Sequence, residues 1–204
     1  MVDKLNKMMR RVPAWLIYII GAAWAGWLFW LALTGQMGPE PINSLERAYG
    51  EVAIKLLVAV LAITPLRKYA GLNLLKFRRA LGVTMFFYVL AHFCVWALLD
   101  VGSAARVWAD IVKRPYVTVG MVAFLISLPL AVTSNNMSLR KLGGATWRKL
   151  HKLTYLIPPL AALHYIWLSK GFQIEPLVYL AIFALLLGLR FKPAAFGKLL
   201  SRQK

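Results

Sequence analysis

The chain has one cysteine and seven acidic residues among 204. A single thiol, Cys94, excludes a disulfide framework, a cluster held by four thiolates and a Cys-rich zinc site. There is no CxxCH, which excludes covalently attached haem, and no GxGxxG, which removes the dinucleotide fingerprint. Charge of either sign is scarce, at 16% of residues against about 25% in an ordinary soluble domain. Apolar surface takes its place. Hydrophobic residues make up 60%, with 8 Trp, 8 Tyr and 10 Phe, and mean hydropathy is +0.64. A soluble fold of this length cannot hide so much apolar surface, so lipid must be part of the solvent.

A bilayer core about 30 Å thick takes roughly 20 mostly apolar residues as a helix. Six segments meet that measure: 13–33, 50–66, 80–99, 115–133, 147–168 and 176–191. The expectation is an all-α integral membrane protein, a single six-transmembrane-helix bundle over residues 1–204. The first apolar stretch is too long for a signal-peptide core, so it is expected to stay as a span.

Lys and Arg number 25 against seven acids, a net +18 that by itself would suggest nucleic acid. Their distribution says otherwise. Nineteen fall in the N-terminus (Lys4, Lys7, Arg10, Arg11), the second–third and fourth–fifth connections and the C-tail. Five (Arg47, Arg106, Lys113, Arg114, Lys170) fall on the opposite side, and Lys55 lies near the outer end of span two, where it can snorkel. Six of the seven acids are on the poorer side. By the positive-inside rule both termini are expected in the cytoplasm, with no nucleic-acid partner.

The three histidines, His92, His151 and His164, all fall within expected spans. Ionisable or ligating groups at membrane depth are costly and mark function by default, although a lone histidine can also serve as an interhelical hydrogen bonder. At 1.5 Å per residue, His92 lies about 18 Å and His164 about 25 Å in from the cytoplasmic ends of their spans, and His151 about 6 Å in. His92 and His164 thus share the outer half. Two imidazoles on facing helices at one depth suit bis-His haem ligation. On a straight helix, however, thirteen residues turn His164 about 140° away from His151; Pro158-Pro159, lying between them, can re-aim the second half. Zinc or non-haem iron would need three or four close ligands, and no acid lies at midplane. Cys94 points to another face than His92 and reads as packing. A permease with histidine proton relays is the rival from another class, but matching broken helices and midplane acids are missing. A stand-alone b-type ferric or quinone reductase shares every haem feature.

The residues that carry the metal argument also carry a resemblance. The chain resembles the MsrQ (YedZ) family, haem-bearing membrane subunits within the ferric-reductase-like transmembrane superfamily. The likeness runs from about residue 14 to 192. It rests on Ile63-Thr64-Pro65-Leu66, Arg78-Arg79 with Leu81-Gly82, and Leu90-Ala91-His92. It continues through Arg114-Pro115-Tyr116, Thr118-Val119-Gly120, Thr133-Ser134 and Arg140-Lys141-Leu142-Gly143. It closes on Trp147 with Leu150-His151, His164-Tyr165 and Leu189-Arg190-Phe191-Lys192. The resemblance implies a multi-pass protein of the bacterial inner membrane holding haem b, one or two, and FMN. It also implies haem-iron ligation by His92, His151 and His164. Larger superfamily members often carry four such histidines, so a haem at His151 would need a partner other than histidine or an open position, and the flavin could instead occupy that cytoplasmic level.

The implied role is electron transfer from the quinone pool, or from a cytoplasmic flavin reductase, to a periplasmic MsrP-like molybdopterin reductase. That partner repairs methionine sulfoxide in oxidised proteins. Arg78, Arg79, Arg140, Arg148 and Lys149 gather at the cytoplasmic edge and could bind haem propionates or a flavin phosphate; each can equally be a positive-inside anchor. Only 13 residues follow Phe191, so the reading expects no nicotinamide domain and no catalytic sulfoxide chemistry in this chain.

Overall fold

In a computed structural model of the chain, residues 2–169 and 171–190 are described. Lys170, Phe191, Lys192, Lys198, Arg202 and Lys204, with the last residue of the sixth expected span, lie outside the described residues.

Among the described residues the chain is helical throughout, without strands. Proline sets several starts, because its missing N–H and fixed φ suit the first helical turn. Helix α1 is Val2–Arg11 and α2 is Leu16–Leu33. Helix α3, Pro41–Tyr69, and α6, Pro115–Val132, both open on proline. Between them, α4 (Arg78–Cys94) continues as a π-helix, Val95–Val101, and α5 is Ala104–Lys113. Helix α7 is Asn136–Leu150, followed by a 3-10 segment, His151–Tyr155. Then come α8, Ile157–Leu168, and α9, Ile174–Gly188.

Four of these are long and apolar enough to cross a membrane: α2, α3, α4 with its π extension, and α6. Helix α9 is apolar but shorter. The chain is therefore a multi-pass membrane protein. Helix α3 begins nine residues before the expected span. Glu46, Glu51 and Lys55 depress the hydropathy of its early turns, yet Leu45 and Tyr49 on the same turns are buried. At 29 residues it measures about 43 Å, longer than the hydrocarbon core.

The expected span 147–168 is not one helix. Pro158 and Pro159 lack amide donors and disfavour α geometry before them, so helical bonding cannot run through from α7. Helix α8 restarts at Ile157 with proline in its first turn, and the 3-10 segment makes the join.

Two buried clusters hold the bundle. One joins Ile54, Leu57 and Leu61 of α3 to Met85, Leu130, Ala162 and Phe183. The other joins Leu28 of α2 to Leu45, Tyr49 and Ala53 of α3, and to Tyr88 and Val95. In the second, Tyr88 Oη donates to the Gly21 carbonyl (2.7 Å) and Tyr49 Oη to the Ala25 carbonyl (2.9 Å), one turn apart on α2. The two rings meet edge to face at 5.9 Å. Helix α2 fully buries only Leu28, so these bonds help to fix its rotation. Tyr88→Phe should cost about 0.5–1 kcal/mol, read as an earlier midpoint in SDS titration; an unchanged midpoint would show that α2 docks by packing alone.

Candidate haem site

His92 sits near the end of α4, where α3 packs closely, and His164 sits on α8 against α6. Their rings face each other with centroids 6.3 Å apart and planes at 83°. The interruption before Ile157 makes this possible, since the 3-10 segment turns about 120° per residue rather than 100°, so α8 does not continue the rotation of α7.

Each ring is held by the same device. His92 Nδ1 lies 2.9 Å from the Glu46 carbonyl, and His164 Nδ1 lies 2.7 Å from the Tyr116 carbonyl. A carbonyl only accepts, so Nδ1 carries the proton in both rings and Nε2 keeps its lone pair. Four residues after each carbonyl stands a glycine, Gly50 in α3 and Gly120 in α6. A Cβ at Gly50 would lie 3.3 Å from His92 Nδ1, and one at Gly120 only 2.8 Å from His164 Nδ1. In a helix that carbonyl already accepts from the amide four residues on; without a Cβ in the way, the imidazole reaches the carbonyl's second lone pair.

This arrangement fits a haem. Metal–nitrogen bonds of about 2 Å, with each ring centre about 1 Å behind its nitrogen, put two axial imidazole centres roughly 6 Å apart. The Nδ1–H bonds supply the outer-shell support that fixes tautomer and orientation in metal-ligating histidines. Among the described residues no group of three or more His, Cys, Asp or Glu is gathered to hold an ion unaided. Two imidazoles with no further side-chain ligand suit a metal whose remaining positions a macrocycle fills. Cys94 is a free, partly buried thiol.

His151 stands apart from this pair. Its ring stacks on Trp147, with centroids 3.8 Å apart, and its Nε2 lies 3.0 Å from Thr133 Oγ1. That hydroxyl donates to the Pro129 carbonyl (2.6 Å), so it accepts from His151. Trp147 Nε1 donates to the Thr133 carbonyl at 2.8 Å, closing a small cage at the end of α6. The guanidinium charges of Arg78 and Arg79 act on the ring. Arg79 Nη1 also donates to Asn136 Oδ1 at 2.8 Å, tying the start of α4 to the start of α7. Arg78 and Arg79 thus stand at the start of α4, the latter bound to the start of α7, while Arg140, Arg148 and Lys149 lie exposed on either side of the break in α7 at Gly143 (φ 73°, ψ 151°).

Sequence reasoning missed Gly50, Gly120, Thr133 and Trp147 as parts of the histidine surroundings, and Arg190. Arg190 reaches back from the end of α9 to donate to the Leu61 carbonyl (2.5 Å) and lies over the Tyr155 ring. Gly120, Thr133, Trp147 and Arg190 all belong to motifs that carry the resemblance, which was the available signal. Gly50 belongs to none.

Residues 49–162 match the family described as ferric reductase like transmembrane component. The match takes in His92 and His151 and ends two residues before His164. Proteins of Brucella ovis, Brucella canis and Brucella suis, each named protein-methionine-sulfoxide reductase heme-binding subunit MsrQ, are 42% identical over 174 residues. That covers 85% of this chain and 79% of each relative. No solved structure matches. Likeness of that extent, across the segments that carry all three histidines, places the chain in the MsrQ family, the haem-binding subunits of protein-methionine-sulfoxide reductases, with a ferric-reductase-like transmembrane domain.

Proposed function

We propose that the chain is a six-span haem b carrier of a bacterial inner membrane, with both termini cytoplasmic. It takes electrons at its inner face, from the quinone pool or a flavin-linked donor, and delivers them to a periplasmic molybdopterin reductase that repairs methionine sulfoxide. The observation that carries this reading is the His92–His164 pair, with both Nδ1 atoms committed to carbonyls and the ring centres 6.3 Å apart.

Bound there, haem supplies a one-electron centre; the protein supplies ligands, orientation and surroundings. His92 and His164 would hold it through Nε2, the nitrogen that the carbonyl bonds leave free. The Glu46 and Tyr116 carbonyls hold the ring planes and keep the proton on Nδ1. The helices around the pair leave both side chains partly buried. At the inner edge, Arg78 and Arg79 offer charge-assisted donors to FMN phosphate or to propionates, and Arg140, Arg148 and Lys149 add charge along α7. A second haem at His151 would have to use Nδ1 or displace the Thr133 bond from Nε2, and would need a second ligand other than histidine or an open position.

Beyond the four long helices, a fifth crossing is supported by length, and α9, apolar and about 22 Å long, is the candidate for the sixth. Helix α8 measures about 18 Å, and the five-residue 3-10 segment before it adds about 10 Å, close to a hydrocarbon core. The nineteen-to-five division of cations supports the orientation.

The test is re-oxidation in proteoliposomes, followed at the Soret band after chemical reduction. Adding the periplasmic reductase with a methionine sulfoxide substrate should re-oxidise the chain. The family description favours one other reading, a stand-alone ferric reductase. Re-oxidation by a ferric chelate, with none by the reductase and its substrate, would replace our reading with that one. Arg78→Gln with Arg79→Gln should slow reduction by the donor several-fold and leave re-oxidation unchanged; equal slowing of both half-reactions would reduce the pair to an anchor.

A further inference from the structure

Helix α5 is amphipathic and unlike its neighbours. It starts at Ala104, two residues beyond the left-handed Gly102 that ends the π-helix, and it stops at Lys113, two residues before Pro115 opens α6. Both flanking elements are long and apolar enough to cross a membrane. A ten-residue helix strung between two such elements at one end of the bundle has no length to cross again and must lie at the level of the membrane boundary.

At 100° per residue α5 has three faces. Val107 and Ile111 turn inward, partly buried, and the Ile111 carbonyl accepts from Thr118 Oγ1 of α6 at 2.5 Å. Arg106, Asp110 and Lys113 share a polar face. With Asp100 and Arg114 they line a cavity of about 380 Å³, and Arg114 Nη1 pairs with Asp110 Oδ2 at 3.2 Å. Between the inward and polar faces runs an apolar stripe, Ala105, Trp108 and Val112, in which Trp108 is 68% and Val112 67% exposed. At the same end of the bundle, Leu98 and Leu99 of the π-helix are exposed too, so the stripe continues an apolar surface already suited to lipid.

We propose that α5 lies in the plane of the membrane interface, with Trp108 and Val112 buried in the lipid boundary and the cavity of Arg106, Asp110 and Lys113 turned to water. The occupant of the stripe is the bilayer. Tryptophan favours this depth, because its ring is amphipathic, and a short helix with segregated faces is the form that lies on a membrane rather than across it. The inference requires only that the neighbouring helices cross the bilayer, and it holds for either orientation of the chain.

Site-directed spin labelling of the full chain in lipid nanodiscs tests it. In a Cys94→Ala background, which removes the single native thiol, labels go on Trp108→Cys, Val112→Cys, Arg106→Cys and Lys113→Cys in separate proteins. The ratio of collision with oxygen, which partitions into lipid, to collision with a water-soluble nickel chelate should be several-fold higher at 108 and 112 than at 106 and 113. Equal nickel accessibility at all four positions would overturn the proposal and show an apolar stripe facing water, free for a protein partner. Low accessibility to both reagents at 108 and 112 would also overturn it, since the stripe would then be covered by protein.

Discussion

Gly120→Val should strip the purified protein of most of its low-spin haem, while Gly50→Ala weakens retention only in part. The difference is steric. A Cβ at position 120 would stand 2.8 Å from Nδ1 and 2.9 Å from Cε1 of His164, closer than real contacts allow. Helix α6 cannot retreat without losing its own bonds, so the imidazole must leave the Tyr116 carbonyl. At position 50 the nearest approaches are 3.3 and 3.5 Å, which a shift of a few tenths of an ångström relieves. Losing such an outer-shell bond typically weakens metal binding by about 10–100-fold, and Gly120→Val adds displacement of the ring itself. Haem per protein after purification, with the low-spin EPR signal, reads the outcome. Wild-type haem content in Gly120→Val would mean that His164 does not use this approach to its ligand position.

Alanine in place of His92 or His164 should abolish the low-spin signal, and alanine in place of His151 should leave it. The first two remove an axial nitrogen from the facing pair, leaving a five-coordinate, high-spin iron or no haem at all. His151 is engaged with Thr133 and Trp147 and faces no second imidazole. The three variants together therefore assign the ligands. A low-spin signal that survives both His92→Ala and His164→Ala, or one lost in His151→Ala, would contradict the assignment.

Much of this geometry follows from features legible in the chain, and the remainder depends on three-dimensional approach. The first and fourth expected spans coincide closely with α2 and α6, because uninterrupted apolar runs bounded by proline or Thr-Gly leave little choice of register. The common depth of His92 and His164 was legible because five residues of 3-10 helix add only about 2.5 Å to a straight α-helical count, and their rings do meet. Rotation was not. The straight-helix calculation linking His151 to His164 assumes 100° per residue throughout, and the 3-10 segment ahead of Pro158-Pro159 turns about 120° per residue.

The early turns of α3 were misjudged for a related reason. Hydropathy averages all faces of a helix, so exposed Glu51 and Lys55 hid the buried side formed by Leu45 and Tyr49. Gly50 lies 42 residues from His92 in a different helix, and only the packing of α3 on α4 shows that its missing side chain admits a ring. The π-helix after Cys94 follows from no residue pattern we could name.

The account stands or falls on the spectrum of the wild-type protein. Purified from haem-replete cells, it should show a low-spin ferric EPR signal of the bis-imidazole type and a Soret band that shifts on dithionite reduction. A preparation that is colourless, or whose iron is wholly high-spin, would contradict the ligand pair from which the function is argued.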